Sequence, residues 1–255
     1  MTAKSSRRSG PSITSADIIR CDLSGTVARV TGPNGGDRLE RRKARTRAAL
    51  IAAARDVIAR DGSPSVSIQQ ITDAADVGFG SFYNHFSSKD ELFEAAIAEA
   101  FEELGVWLDE VLAGISDPAE IFATAVRITA RLADTHPQVA RILQHTGLRL
   151  VTSDEGLAPR TLRDIAAAKA AGRFDVDDVE RAMRCTAGSL IATLELVARR
   201  PPDDAAALAD GLAFDLLRMF GLSKRDARRL TSRPLPETAA GTVLTRRAEP
   251  AGAAG

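Results

Sequence analysis

Apolar residues fall at helical spacing through most of the chain, and that pattern divides it into a row of helices. Ala48, Ile51, Ala52, Val57 and Ile58 give an inner face to a helix that Asp37 can cap. The helix stops at Asp61-Gly62-Ser63-Pro64, with glycine just past its end and proline after that. Ile68, Ile71 and Ala75 share one face of a short second helix. Asp76-Val77-Gly78 then reads as a turn, with Gly78 supplying the backbone freedom. A third helix, over about 79–86, turns Phe82 and Phe86 inward at i and i+4. Its outward side carries Phe79, Gly80, Ser81, Tyr83 and Asn84.

From Lys89 the apolar stripe broadens. Leu92, Phe93, Ala96, Ile97, Ala100, Phe101, Leu104 and Leu108 predict one long helix to about Ala113. Asp117-Pro118 starts another, to about Thr135, with proline in its first turn, and His136-Pro137 breaks it. Shorter helices over about 138–146 and 157–171 end near Gly147 and Gly172. Asp175 can cap a long helix, 176–199, which Arg200-Pro201-Pro202 stops. Asp203 or Asp204 opens a further helix to about Phe220, and a short basic helix at 223–231 follows. The fold class is therefore all-α: a three-helix head over 37–88 and a larger helical body over 89–231. Residues 1–36, ending in the breaker cluster TGPNGG, read as a mobile arm with at most a weak element at Ile18–Val30. Residues 232–255 are dominated by Pro, Gly, Thr and Ala, and read as a disordered tail.

The head also carries local chemistry. Ser67 with Gln70, and Ser88 with Glu91, are capping boxes, and Val66 can pack on Ile71 as a hydrophobic staple. Two short helices around a tight turn make a helix-turn-helix, whose second helix can lie in the major groove of DNA. The formal net charge of zero argues against a nucleic-acid binder, but its distribution does not. Met1 to Arg47 holds eleven basic residues and only four acids, Asp17, Asp22, Asp37 and Glu40. A basic arm therefore adjoins the helix-turn-helix, and an acidic excess lies further on.

Composition narrows the remaining classes. Hydrophobic content of 44% with mean hydropathy near zero indicates a soluble globular protein. No apolar run is long enough to span a membrane, and Lys4, Arg7 and Arg8 are not followed by an apolar signal region. Cys21 and Cys185 lie far apart, which fits a reduced cytoplasmic setting better than a disulfide framework. Neither cofactor nor metal is expected, and no nucleophile elbow, P-loop, HExxH or dinucleotide fingerprint supports an enzyme. His85, His136 and His145 are dispersed, and carboxylates on the helices read as solvated faces.

The run Ile51–Leu92 resembles the N-terminal domain of TetR-type transcriptional regulators. The resemblance rests on the helix RTRAALIAAARDVIARDG, the Ser-Ile start of the second helix, Ala74-Ala75-Asp76-Val77-Gly78, and above all FYNHFSSKDELF. Gly78 stands where the family usually caps its recognition helix with a small hydroxyl residue. Glycine is an acceptable cap, but a hydroxyl contact to phosphate is lost there. The implied function is a repressor that binds a palindromic double-stranded operator as a homodimer and is released by a small-molecule effector. Tyr83, Ser67, Ser81 and Lys89 are the expected phosphate contacts. Phe79, Gly80 and Asn84 face the bases, with Asn84 suited to adenine and Phe79 to a thymine methyl. Arg45 and Arg47 can reach phosphate or the minor groove.

The resemblance further implies an effector cavity among the helices from 89 to 199, with Phe101, Trp107, Phe122, Thr129, His145 and Met183 as candidates. Each also fits ordinary core packing. Helices 176–199 and 203–220 are more apolar than one exposed surface helix needs, and Ala187, Gly188 and Ser189 allow close approach. They suit a two-fold dimer interface, although burial within one monomer core would leave the same pattern. Two other functions stay open: a DNA binder without an effector, and a helical dimer that carries a ligand or partner without touching DNA.

Overall fold

The computed structural model describes residues 34–62, 66–147 and 156–236; for 34–37 and 202–203 it describes the backbone alone. The described residues form eleven α-helices and no strand. The head comprises α1 (Asn34–Asp61), α2 (Ile68–Ala74) and α3 (Phe79–Phe82). The long α4 (Lys89–Leu112) runs from the head into the body. The body adds α5 (Pro118–Ala130), α6 (Leu132–Thr135), α7 (Pro137–Thr146), α8 (Leu157–Ala170), α9 (Val179–Ala198), α10 (Pro202–Met219) and α11 (Lys224–Thr231).

Head and body share a hydrophobic core. Leu50, Ile58, Ile71, Phe82, Phe86 and Leu92 join Leu104, Trp107, Ile142 and Leu194 in one buried cluster. A displacement within α4 is therefore felt at α3, because close-packed side chains transmit strain. A second cluster lies deeper in the body, around Phe122, Phe174 and Phe220, whose ring centroids stand 5.2–5.4 Å apart.

Several boundaries differ from the sequence reading. Helix α1 begins at Asn34, so its backbone runs through Gly35, Gly36 and Asp37 and leaves Asp37 inside rather than at the cap. The rest of the arm, with Cys21 and the weak 18–30 element, lies outside the described residues, as do Ser63, Pro64 and the 148–155 loop. The turn between α2 and α3 takes its left-handed residue from Asp76, φ 53°, whereas Gly78 is extended at φ −62°. Aspartate tolerates that region because its short side chain bonds locally. Helix α3 ends at Phe82 instead of continuing to 86, because the chain tightens: Asn84 N donates to the Ser81 carbonyl and His85 N to that of Phe82, three residues back.

The helix expected over 117–135 breaks into α5 and α6 at Arg131, whose N–H reaches the Ile128 carbonyl three residues back. The cap of α9 is Asp178, not Asp175: the helix begins at Val179, and the Asp178 side chain accepts from Arg181 N. The N-cap of α10 is Pro201, which puts Asp203 and Asp204 inside the helix. The expected tail is also shorter at its start. Ser232–Pro236 are described, the Arg233 carbonyl accepts from the buried Arg127 at 2.8 Å, and Leu235 packs on the first core cluster. Residues 237–255 lie outside the described residues.

Candidate functional site

The outward surface of the head is built on two caps. The Ser67 hydroxyl accepts from Gln70 N at 3.2 Å while the Gln70 side-chain oxygen accepts from Ser67 N at 2.8 Å, which fixes the start of α2. Gly78 begins α3 with no side-chain cap bond. Phe82 is fully buried beneath α3, and this leaves Phe79, Gly80, Tyr83 and Asn84 exposed with Ser81 half-buried beside them. Tyr83 is 55% exposed yet held edge-on by both Phe82 and Phe79, at 5.2 and 5.8 Å between centroids. A Cβ at Gly80 would meet nothing within 4 Å, so the α3 surface is open to close approach by another body.

At the start of α4, the Ser88 hydroxyl accepts from Glu91 N, and Glu91 accepts from both Ser87 N and Ser87 Oγ. The Ser87 hydroxyl holds the Glu91 carboxyl below its usual range. Lys89 is half-buried, and its Nζ donates to the Val66 carbonyl at 2.9 Å, bracing α4 against the approach to α2. Arg45 is exposed. Arg47 departs from expectation: its guanidinium pairs with Glu99 and lies 5.4 Å from the Phe86 ring centroid. These two partners hold it at the α1–α4 seam.

Among the described residues the body holds a cavity lined by α4, α5, α7, α8 and α9. Its walls are apolar: Leu108, Leu112, Phe122, Val126, Leu143, Met183, Leu190 and Leu194 among them. Of the six pocket residues expected from sequence, Phe122, Thr129 and Met183 line it. Phe101 is buried against Gly156, Trp107 packs 5.8 Å from the His136 ring, and His145 fills the space where Gly62 has no side chain. None of those three lines the cavity; each meets a neighbouring segment instead, a distinction that depends on tertiary packing.

Sequence reasoning missed the cavity's polar pole. Asp109, Arg160, Arg163 and Asp164 line it together. Arg160 donates twice to Glu102 (2.8 and 2.9 Å), once to Asp109 (2.8 Å) and once to the Gly156 carbonyl (2.8 Å). Arg163 donates to Asp109 and Asp164, at 2.9 Å each. Burial pushes the Asp164 carboxyl up, against the pull of Arg163. Asp109 feels burial too, but hydrogen bonds from Arg160 and Arg163 outweigh it and hold the carboxyl low. The Arg160 bond holds Glu102 low as well. Asp109 and Asp164 are thus not a solvated face. The available signal was Arg160, Arg163 and Asp164 at i, i+3 and i+4 on one apolar helix.

Gly105 makes this pole possible. It is buried in α4, and a Cβ there would stand 2.6 Å from Arg160 Cζ. The guanidinium crosses α4 only because that position has no side chain. Among the described residues no group of three His, Cys, Asp or Glu can hold a metal ion, and no helix is long and apolar enough to cross a membrane.

The outer faces of α9 and α10 carry small and apolar residues. Ala192 and Leu196 are exposed on α9; Ala207, Gly211 and Met219 are exposed on α10. A Cβ at Gly188 or Gly211 would meet nothing within 4 Å. Ala187 faces the cavity instead.

Residues 50–96 match the model of the bacterial regulatory proteins of the tetR family, and 117–233 match the tetracyclin repressor-like C-terminal domain. The crystal structure of RolR complexed with resorcinol is 33% identical, aligns over 78% of this chain and 99% of its own, and superposes with a TM-score of 0.57. The chain belongs to the TetR family. Within that family, the HTH-type transcriptional regulator TcmR of Streptomyces glaucescens is 30% identical over 133 residues, which span 51% of this chain and 58% of TcmR. FadR from Bacillus subtilis, solved with stearoyl-CoA, is 16% identical and shares the fold, with a TM-score of 0.54 over 67% of this chain and 97% of its own. This TetR-family chain is a helix-turn-helix transcriptional regulator.

Proposed function

We propose that the protein is a repressor that binds a palindromic operator as a homodimer and is released when a small effector fills the body cavity. The α3 surface carries the DNA half of the reading. Phe79, Gly80 and Asn84 are exposed with no neighbouring atom over Gly80, and Tyr83 is oriented by two rings at their edge. That is a shape suited to the major groove, with Asn84 and Phe79 at base edges and Ser67, Ser81 and Tyr83 at phosphates. Two such heads need a dimer, and the small, apolar outer faces of α9 and α10 suit a close two-fold contact.

The polar pole carries the effector half. The Arg160 guanidinium donates to Glu102, Asp109 and Gly156, so the cation is already neutralised. What remains at the pole is acceptor capacity on Asp109 and Asp164. An effector carboxylate would face those two acids, whereas a neutral ring with hydroxyl donors would satisfy them. RolR, the relative solved with resorcinol, binds a molecule of that kind. Resorcinol is accordingly the first ligand to try.

The link between cavity and head is α4. Glu102 and Asp109 tie it to α8 at the pole, and its first turn holds the approach to α2 through Lys89. An effector that prefers a shifted α4 changes the spacing of the two heads and lowers operator affinity by its own differential affinity for the two states. The test is anisotropy of labelled operator bound to the protein, titrated with resorcinol. Release at constant salt supports the reading. Ring binding by calorimetry without any duplex binding would make the protein a ligand carrier instead.

A further inference from the structure

We infer that the first three turns of α1 are a second DNA-binding element, one that grips the duplex outside the half-site read by α3. The inference rests on the operator reading above.

The observation is an exposed basic stripe. Every residue from Arg38 to Arg45 is exposed, Leu39 at 56%. Arg38, Arg42 and Arg45 stand at i, i+4 and i+7, so three guanidinium groups share one side of the helix. Glu40 and Lys43 pair with each other at 3.5 Å on the opposite side of the helix. Like charges at this spacing oppose helix formation, and a helix without packing is marginal in water. A polyanion along the stripe removes both penalties.

Position selects the polyanion. The C-terminal end of α1 abuts the body, where His145 of α7 occupies the space beside Gly62. Arg47 lies over Phe86, directly after the α3 turn. Residues 34–45 continue the same helix past that level, away from the end that abuts the body. At 1.5 Å per residue they reach about 18 Å beyond the head, which is about five base pairs of duplex. The stripe therefore meets phosphates flanking the sequence that α3 reads. It adds affinity and salt dependence with little sequence preference.

The test uses the full chain and the palindrome it recovers from random duplexes. Binding is measured by anisotropy from low to moderate salt, on that palindrome with long flanks and trimmed to its two half-sites. The comparison protein is R38A/R42A, whose changes lie on exposed side chains. Wild type is expected to bind the flanked duplex about ten-fold or more tighter than the trimmed one. The variant should lose that advantage, bind the trimmed duplex as wild type does, and show a log–log salt slope shallower by up to about four, for about four lost phosphate contacts in a dimer. Equal slopes and affinities for the two proteins on the flanked duplex would overturn the stripe's role and leave the α3 reading intact. Equal loss on both duplexes would place these arginines inside the core footprint and also overturn it. Failure of wild type to bind either duplex would overturn the operator reading and this one together.

Discussion

Replacing Gly105 with alanine tests whether the polar pole is held as described. In a solvent-facing helix the change would stabilise the fold by about 1 kcal/mol through helix propensity. Here the new Cβ would lie 2.6 Å from Arg160 Cζ and Nη1 and 2.7 Å from Nε, closer than such atoms pack. Either α4 and α8 separate or the guanidinium leaves its place. Overpacking of this kind costs about 1–3 kcal/mol. Displacing Arg160 also removes bonds to Glu102 and Asp109, but those carboxylates are 44% and 37% exposed, so water recovers most of that loss. The net expectation is a loss of about 1 kcal/mol, a fall in Tm of about 2–4 °C for a chain of this size. In an Arg160→Ala background the obstruction is gone, and the same Gly105→Ala change should stabilise by about 1 kcal/mol. The coupling, about 2 kcal/mol, is read from a double-mutant cycle of urea unfolding curves at one fixed protein concentration. A Gly105→Ala protein at least as stable as its parent, or a cost unchanged without Arg160, would refute the crossing of Arg160 over Gly105.

Three further outcomes are expected. Tyr83→Ala should weaken operator binding by roughly 1–3 kcal/mol at fixed salt with unfolding curves unchanged, since the side chain is exposed; full affinity would remove Tyr83 from the interface. Leu196→Glu, on the outer face of α9, should shift the protein from dimer to monomer in light scattering at micromolar concentration, and an unaltered dimer would move the interface elsewhere. The pole should also shape acid stability. Glu102 and Asp109 have lowered folded-state pKa values, so the unfolded chain binds more protons as pH falls. Their contribution is complete above the ordinary carboxylate range and fades as pH drops through their folded values. Asp164, with a raised value, works in the opposite direction. Melting temperatures of Glu102→Gln should therefore fall less steeply in acid than those of the parent, and parallel curves would contradict the assignment.

The helices and the head were legible in the sequence because their signals are local. Caps such as Ser67 and Ser88, the Phe82/Phe86 spacing, and prolines at helix starts all act within a few residues. Boundaries were missed where the chain offers several similar candidates or tightens by one residue: Asp175 and Asp178 both look like caps, and α3 ends in bonds three residues back that apolar spacing does not show. The site divides in the same way. The exposed α3 residues follow from helical phase alone. The cavity does not, because Phe101, Trp107 and His145 are as apolar or aromatic as Phe122 and Met183, and only the tertiary arrangement tells a wall from a seam. Charges on α8 were equally ambiguous: Arg160 reads as a solvated residue until α4 supplies Glu102, Asp109 and a position without a side chain.

The central claim is that α3 reads duplex DNA in pairs. Repeated selection of bound duplexes from a random pool by the purified protein tests it most directly. A palindromic consensus, whose two halves both lose enrichment when Asn84→Ala protein is used, is the predicted result. No enriched sequence, even in dilute salt, would contradict it.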